Sequence, residues 1–110
     1  MNPAILISRA LSAGVRLEAH GDQLHLVFDN PPVEDLLNAL KENKQQVLDE
    51  INRLQNQWLE RVARHLYRPA EWLLEHSIIE ECDIRELWHT EPRQAAATAK
   101  TGLHWHLANH

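Results

Sequence analysis

The sequence predicts an α+β protein that is mostly helical, and three observations support this class. Only residues 14–28 alternate apolar and polar side chains around a central Gly21-Asp22 pair, which is the pattern of a β-hairpin. The segments before and after it repeat apolar residues every three or four positions, as amphipathic helices do. At 110 residues, the chain can hold one compact domain, or a small domain with a helical extension, but not two full-sized domains.

The first helix is predicted to begin at Pro3 and to end before Gly14. Asn2 is a favoured N-cap, and proline suits the first helical position because its missing N–H would have no partner there. Gly14 suits the position after the helix, since glycine readily adopts the left-handed conformation found there. We expect this helix to fold back over the apolar face of the hairpin.

The hairpin register follows from a two-residue type II′ turn, which favours glycine at its first central position, here Gly21. This register places Leu17 opposite Leu26 and Arg16 opposite Val27. A slip of one residue would mix the apolar and polar faces, so the turn and the alternation support the same pairing. A lone hairpin is marginal in water, so helices are expected to cover its apolar face. The inward-facing set is Val15, Leu17, Ala19, Leu24, Leu26 and Phe28.

Helical periodicity returns after the Pro31-Pro32 turn, which ends the sheet because proline lacks a backbone donor. Leu36 and Leu40 lie on one stripe of a second helix. The polar run of residues 41–44 is either a break or a turn within one continuing helix, and the sequence leaves both possibilities open. Apolar residues spaced three or four apart then predict a long helix that ends before Pro69.

The rest of the chain predicts short helices, and we divide the protein into residues 1–54 and a helical extension, residues 55–110. One helix follows Pro69 over residues 70–76 and another covers residues 83–88. An alanine-rich helix over residues 94–100 is expected to end at Gly102. Residues 103–107 alternate apolar side chains with histidines, which would suit a short strand.

Residues 5–51 carry a pattern of glycine, leucine and lysine positions around the hairpin. The pattern consists of Leu11, Gly14-Val15-Arg16-Leu17, Gly21-Asp22-Gln23-Leu24, Leu36-Leu37, Leu40, Lys44 and Val47-Leu48. It resembles the TubC-type N-terminal docking domain of hybrid nonribosomal peptide synthetase and polyketide synthase assembly lines. The resemblance implies an αββαα fold, commonly homodimeric, that captures the charged C-terminal tail of an upstream subunit along its hairpin edge. In assembly lines a large catalytic domain follows; here residues 52–110 follow, which is more typical of small free-standing proteins of bacteria and mobile elements.

The hairpin edge is the predicted working surface, because polar residues would face outward beside unpaired backbone groups that form a template for an added strand. Arg16 and the Glu18/His25 pair would select a partner tail by charge. A Val27→Pro change is expected to abolish binding, since proline cannot donate to an added strand. The same polar side chains could instead simply guard the edge. The predicted partner-binding residues are Arg16, Glu18, Gln23, His25 and Val27.

The long helix also predicts a homodimer. Leu40, Val47 and Leu54 recur at heptad spacing, which is typical of a helix–helix seam. Either a second protomer or the folded-back C-terminal helices must cover this stripe, because it would otherwise expose large apolar side chains. The predicted dimer interface consists of Val47, Ile51, Leu54 and Trp58.

Composition excludes several classes of function. A formal net charge of -5 and a pI near 5.9 argue against a general nucleic-acid binder, which would carry a basic excess. No apolar run approaches the roughly 20 residues of a membrane span, and the N-terminus lacks a signal-peptide pattern. The single cysteine, Cys82, cannot form an internal disulfide, which fits a reducing compartment. We expect a cytoplasmic protein with no membrane partner.

No pattern predicts a catalytic residue, a metal or a cofactor. Cys82 lies among acidic residues that disfavour its thiolate. Three arginines on one helical stripe, Arg61, Arg64 and Arg68, are better explained by the helix dipole than by nucleic acid. Four histidines have spacings that can suit zinc or nickel, but no companion carboxylate lies in the tail and the only cysteine is distant. These histidines are His89, His104, His106 and His110.

The sequence therefore predicts a non-catalytic docking module that binds a partner peptide at its hairpin edge. A second possibility is a phage or mobile-element accessory protein that inhibits a host enzyme or defence complex by direct binding. A third is a regulator that binds a metal or nucleic acid. Gene neighbourhood separates the first two, since synthetase genes support a docking module and phage or plasmid genes support an accessory protein.

Overall fold

The computed structural model describes residues 2–109, which form six α-helices and one two-stranded antiparallel sheet. The elements are α1 (Pro3–Ser12), β1 (Arg16–His20), β2 (Gln23–Val27), α2 (Glu34–Glu42), α3 (Lys44–Leu66), α4 (Ala70–Glu75), α5 (Glu81–Leu87) and α6 (Pro92–Ala108). The predicted α+β, mostly helical fold is confirmed. The chain divides into two compact units, Met1–Arg53 and Leu54–His110, so the division falls inside α3.

Helix α1 begins and ends where the sequence predicts. The Asn2 side-chain oxygen accepts a hydrogen bond from the Ala4 N–H at 2.8 Å. At the other end, Gly14 has a φ of +80°, which glycine adopts without steric strain, and the Val15 N–H donates to the Ala10 carbonyl at 2.9 Å. This tight turn leads directly into β1, and α1 contacts both β1 and α2.

The hairpin has the predicted register, with Leu17 opposite Leu26 and Arg16 opposite Val27. Gly21 has a φ of +64°, whereas Asp22 is not among the residues with positive φ. A positive φ at the first central position alone is the mark of a type II′ turn, because a type I′ turn needs it at both. The turn therefore depends on a glycine at position 21.

Residues 41–44 contain a break between two helices, and not a turn within one continuing helix. Helix α2 ends at Glu42 and α3 begins at Lys44, with Asn43 between them. The Asn43 side chain donates to the Ala39 carbonyl at 2.8 Å, and the Asn43 carbonyl accepts from the Val47 N–H at 2.9 Å. One asparagine thus ends the first helix with its side chain and starts the second with its backbone.

The core of the first unit draws on α1, β1, α2 and the first half of α3. Its buried apolar residues are Leu6, Ile7, Ala10, Val15, Leu17, Ala19, Leu36, Leu40, Val47, Leu48 and Ile51. Strand β2 contributes no fully buried side chain among them. The hairpin is therefore anchored to this core through its first strand.

The C-terminal segment differs from the prediction. Helix α6 continues through Gly102 to Ala108, so the expected helix end at Gly102 and the expected strand over residues 103–107 are both wrong. A glycine inside a helix costs only about 1 kcal/mol relative to alanine, and neighbouring good helix formers can outweigh that penalty. Asn109 caps the helix end, with both its N–H and its side-chain amide donating to the Trp105 carbonyl.

Candidate functional site

The five predicted partner-binding residues lie on the outward face of the hairpin. Arg16, Gln23 and His25 are exposed, Val27 is 39% exposed, and Glu18 is half-buried. They occupy alternate strand positions, opposite the face that meets the core. The structure therefore brings all five together on one polar surface.

The ionic pairing on this surface differs from the expected one. Glu18 and His25 face each other in the register, but the Glu18 carboxylate contacts the His20 imidazole at 3.0 Å. The His20 and His25 rings are stacked, with their centroids 4.1 Å apart. His20 was not among the predicted partner-binding residues, and it links Glu18 to His25. Because Glu18 already has this partner, the exposed Arg16 guanidinium is the more available charged group for a ligand.

The inward face of the hairpin is covered unequally. On β1, Leu17 is 1% exposed and Ala19 is also buried. On β2, Leu24 and Leu26 are only half-buried, and Phe28, just beyond the strand, is 42% exposed. The expectation that Phe28 belongs to the core is wrong, because α1 contacts β1 and alternation alone does not supply cover for the neighbouring strand. Strand β2 thus carries apolar side chains that lack full cover.

The backbone of β2 has an open edge at Leu24 and Leu26. In a two-residue hairpin, the residues on either side of the turn, here His20 and Gln23, form a hydrogen-bonded pair, and such pairs alternate with non-hydrogen-bonded pairs along the ladder. Residues 25 and 27 therefore direct their backbone groups towards β1, while residues 24 and 26 direct theirs away from it. Among residues 2–109, no other strand pairs with β2.

This geometry corrects the role expected of Val27. Its N–H belongs to the hydrogen-bonded pair with Arg16, so Val27→Pro would remove a bond inside the hairpin rather than a donor at the edge. Val27 remains a candidate contact through its exposed side chain. Leu26 is the position where proline would remove an outward donor.

We found no match to this chain among protein-family models, curated proteins or solved structures. Across the described part of the chain, no helix combines the length and apolar character needed to cross a membrane.

The residues of the predicted dimer interface are largely covered within the single chain. Val47, Ile51 and Trp58 are buried and Leu54 is half-buried. The chain itself therefore covers three of these four residues, which is one of the two possibilities that the sequence leaves open. Homodimerisation stays a prediction, which sedimentation velocity at micromolar concentration would test.

The other candidate residues do not converge in the structure. Within residues 2–109, no group of three or more His, Cys, Asp or Glu side chains is placed to hold a metal ion. His104 and His106 are two positions apart on α6, a spacing at which side chains do not face each other, and His110 lies outside the described residues. Cys82 is exposed, and the Arg68 guanidinium lies over the Trp72 ring, 5.4 Å from its centroid.

Proposed function

We propose that this chain is a non-catalytic docking module whose β2 edge binds an extended segment of a partner protein by strand addition. The observation that carries the proposal is that β2 has outward backbone groups at Leu24 and Leu26 together with incompletely covered side chains. An edge that presents both is a template for another strand. The order α1-β1-β2-α2-α3 is also the αββαα order of the TubC-type docking domains that the sequence resembles.

The two faces of β2 set different requirements on the added strand. On the inward face, apolar side chains at alternate positions would cover Leu24, Leu26 and Phe28, and each Å² of apolar area removed from water contributes about 25 cal/mol. On the outward face, the new strand would lie about 4.8 Å from β2, beside His25 and Val27. An acidic side chain there would lie beside the exposed His25, with the exposed Arg16 one strand further away on β1. We therefore expect a segment that alternates apolar and polar residues, with at least one acidic residue.

A random twelve-residue peptide library, selected against the immobilised full chain, tests this function. We expect selected peptides to alternate apolar residues and to shift the backbone amide resonances of Leu24 and Leu26 most strongly. Leu26→Pro should weaken a selected peptide by about tenfold or more, because it removes an edge donor and the ring obstructs strand pairing. Proline is tolerated where a strand N–H faces solvent, so this variant should still fold.

The matched control is Leu26→Ala, which shortens the same side chain but keeps its N–H. It should lose part of the apolar contact and retain strand pairing, so its affinity should lie between those of the original chain and Leu26→Pro. A folded Leu26→Pro variant that binds selected peptides at full strength would show that the peptide does not add to β2. Selected peptides that shift only resonances of the second unit would count equally against the proposal.

A further inference from the structure

A cavity of about 710 Å³ lies within the second unit, and its lining residues fall between Trp58 and His106. Small-molecule sites usually occupy about 300–1,000 Å³. This cavity is partly open to solvent, since His76, Thr98 and Gly102 in its lining are exposed. A space of this size in so small a unit is therefore a candidate binding site that is separate from the hairpin.

One wall of the cavity is formed by a face of α6 that carries small side chains. Ala95, Ala99 and Gly102 all line it, and their spacing places them on one side of the helix. A Cβ added at Gly102 would meet no atom within 4 Å. Larger residues at these positions would close the space, so the small side chains maintain it.

The facing wall is held in place by the turn after α4. Ser77 adopts a φ of +55°, a left-handed conformation that is uncommon for residues other than glycine. The N–H groups of Ile78 and Ile79 both donate to the Leu73 carbonyl, at 2.9 and 3.3 Å. This turn fixes Ser77, Ile78 and Ile79 along the cavity.

Aromatic rings form much of the remaining lining. Trp58 contributes from α3 and Trp105 from α6, where Trp105 is 66% exposed. The His76 and His106 imidazoles, which also line the cavity, meet edge to face with their centroids 4.9 Å apart. Aromatic rings pair favourably in stacked and edge-to-face arrangements, so this lining suits a planar aromatic ligand.

Several polar groups of the lining are arranged as acceptors. The Thr90 hydroxyl donates to a carbonyl of α5 at 2.6 Å, and the Thr98 hydroxyl donates to the carbonyl one turn earlier in α6 at 3.2 Å. Each hydroxyl has thus used its proton and keeps its lone pairs. Asp83 is the one Asp, Glu, Lys or Arg among the described lining residues, and one of its carboxylate oxygens accepts from the Glu80 N–H at 2.9 Å. These three acceptors favour a ligand that donates hydrogen bonds, and the Asp83 carboxylate disfavours an anion beside it.

We propose that this cavity binds a planar aromatic molecule that carries at least one N–H or O–H donor and no negative charge. The small side chains of α6 provide room for the ring, and the indole and imidazole rings provide its contacts. Thr90, Thr98 and Asp83 provide acceptors for the donor. This proposal is independent of strand addition at β2, because its residues all belong to the second unit.

Two dyes with the same aromatic framework test the chemical class. N-phenyl-1-naphthylamine is neutral and has an N–H donor, whereas 8-anilino-1-naphthalenesulfonate also carries a sulfonate. The full chain should bind the neutral dye saturably, near one to one, with a rise in dye fluorescence. The sulfonate dye should bind at least about tenfold more weakly, because like charges placed together disfavour binding. Asp83→Asn, which retains an acceptor oxygen for the Glu80 N–H, should narrow this difference, and equal affinities for the two dyes in the original chain would overturn the proposal.

Gly102→Leu tests whether the dye occupies the cavity. The leucine side chain should fill the space and weaken the neutral dye by about tenfold or more, whereas Gly102→Ala adds one methyl group and should retain most of the affinity. Both changes raise helix propensity, so both variants should fold, as circular dichroism would verify. Unchanged dye affinity in folded Gly102→Leu would overturn the proposal. A dimer that dissociates on the same change would also overturn it, since the cavity would then accept a second copy of the chain.

Discussion

We expect Leu17→Ala to lower the free energy of unfolding of the first unit by about 2–5 kcal/mol, the usual range for a fully buried leucine. Leu17 is 1% exposed, and it joins β1 to the core that α1, α2 and α3 also form. Its register partner Leu26 is only half-buried. Leu26→Ala should therefore lower stability by clearly less, because it removes fewer contacts and leaves a smaller cavity.

The measurement must report on the first unit alone. All four tryptophans lie in the second unit, so their fluorescence follows that unit instead. Hydrogen exchange of backbone amides in α1 and α2 gives the opening free energy of the first unit directly. Equal losses for Leu17→Ala and Leu26→Ala would contradict the unequal cover of the two strands.

The same pair of variants connects stability to binding. If β2 accepts an added strand, Leu26→Ala should weaken a selected peptide more than Leu17→Ala does, once each affinity is corrected for the folded fraction. Leu17→Ala should thus have the larger effect on stability, and Leu26→Ala the larger effect on peptide affinity. That reversal arises because β1 is covered by the protein itself, whereas β2 would receive part of its cover from the partner.

Sequence reasoning was most successful where a local rule sets the structure. The cap at Asn2, the helix end at Gly14 and the turn at Gly21 each depend on a few neighbouring backbone groups, and the hairpin register follows from the turn. The register also determines which backbone groups of β2 lie at the open edge. Counting hydrogen-bonded pairs outward from the turn shows that Leu26, and not Val27, directs its N–H to the open edge.

The exposure of the hairpin could not be predicted in the same way. Alternation places Phe28 and Leu26 on the same face of the hairpin, but it does not show which helix covers that face. Cover depends on where α1 lies, and α1 contacts β1. The incomplete burial of β2 is therefore a tertiary property, and it is also the property on which the proposed function depends.

The cavity of the second unit was missed although part of its signal is visible in the sequence. Ala95, Ala99 and Gly102 share one helix face, but we interpreted Gly102 as a helix end, which placed it outside that face. A continuous α6 makes the same residues a wall. Ser77 is interpretable from the sequence as a helix break or cap, but its left-handed conformation is not, because that conformation is uncommon for serine.

We expect Trp58→Ala to destabilise the second unit by about 3–5 kcal/mol, whereas Trp58→Phe should change its stability by no more than about 1 kcal/mol. Trp58 is 3% exposed, so alanine would remove a large buried ring. Its indole N–H, however, is buried without a hydrogen-bond acceptor among residues 2–109. Leaving a buried donor unpaired costs about 1–3 kcal/mol, and phenylalanine removes that donor while keeping most of the apolar contact.

Guanidinium denaturation followed by the fluorescence of the three remaining tryptophans measures both variants, since Trp72, Trp88 and Trp105 lie in the same unit. Both variants remove the unpaired donor, and they differ in how much of the ring they keep. The difference between them therefore measures ring packing, whereas the effect of Trp58→Phe itself reports on the donor. If Trp58→Phe lowered stability by clearly more than about 1 kcal/mol, the indole N–H would bind an acceptor in solution, because phenylalanine keeps most of the ring contact. Because Trp58 lines the cavity, a water molecule held there would be the first acceptor to test, and it would be displaced when the neutral dye binds.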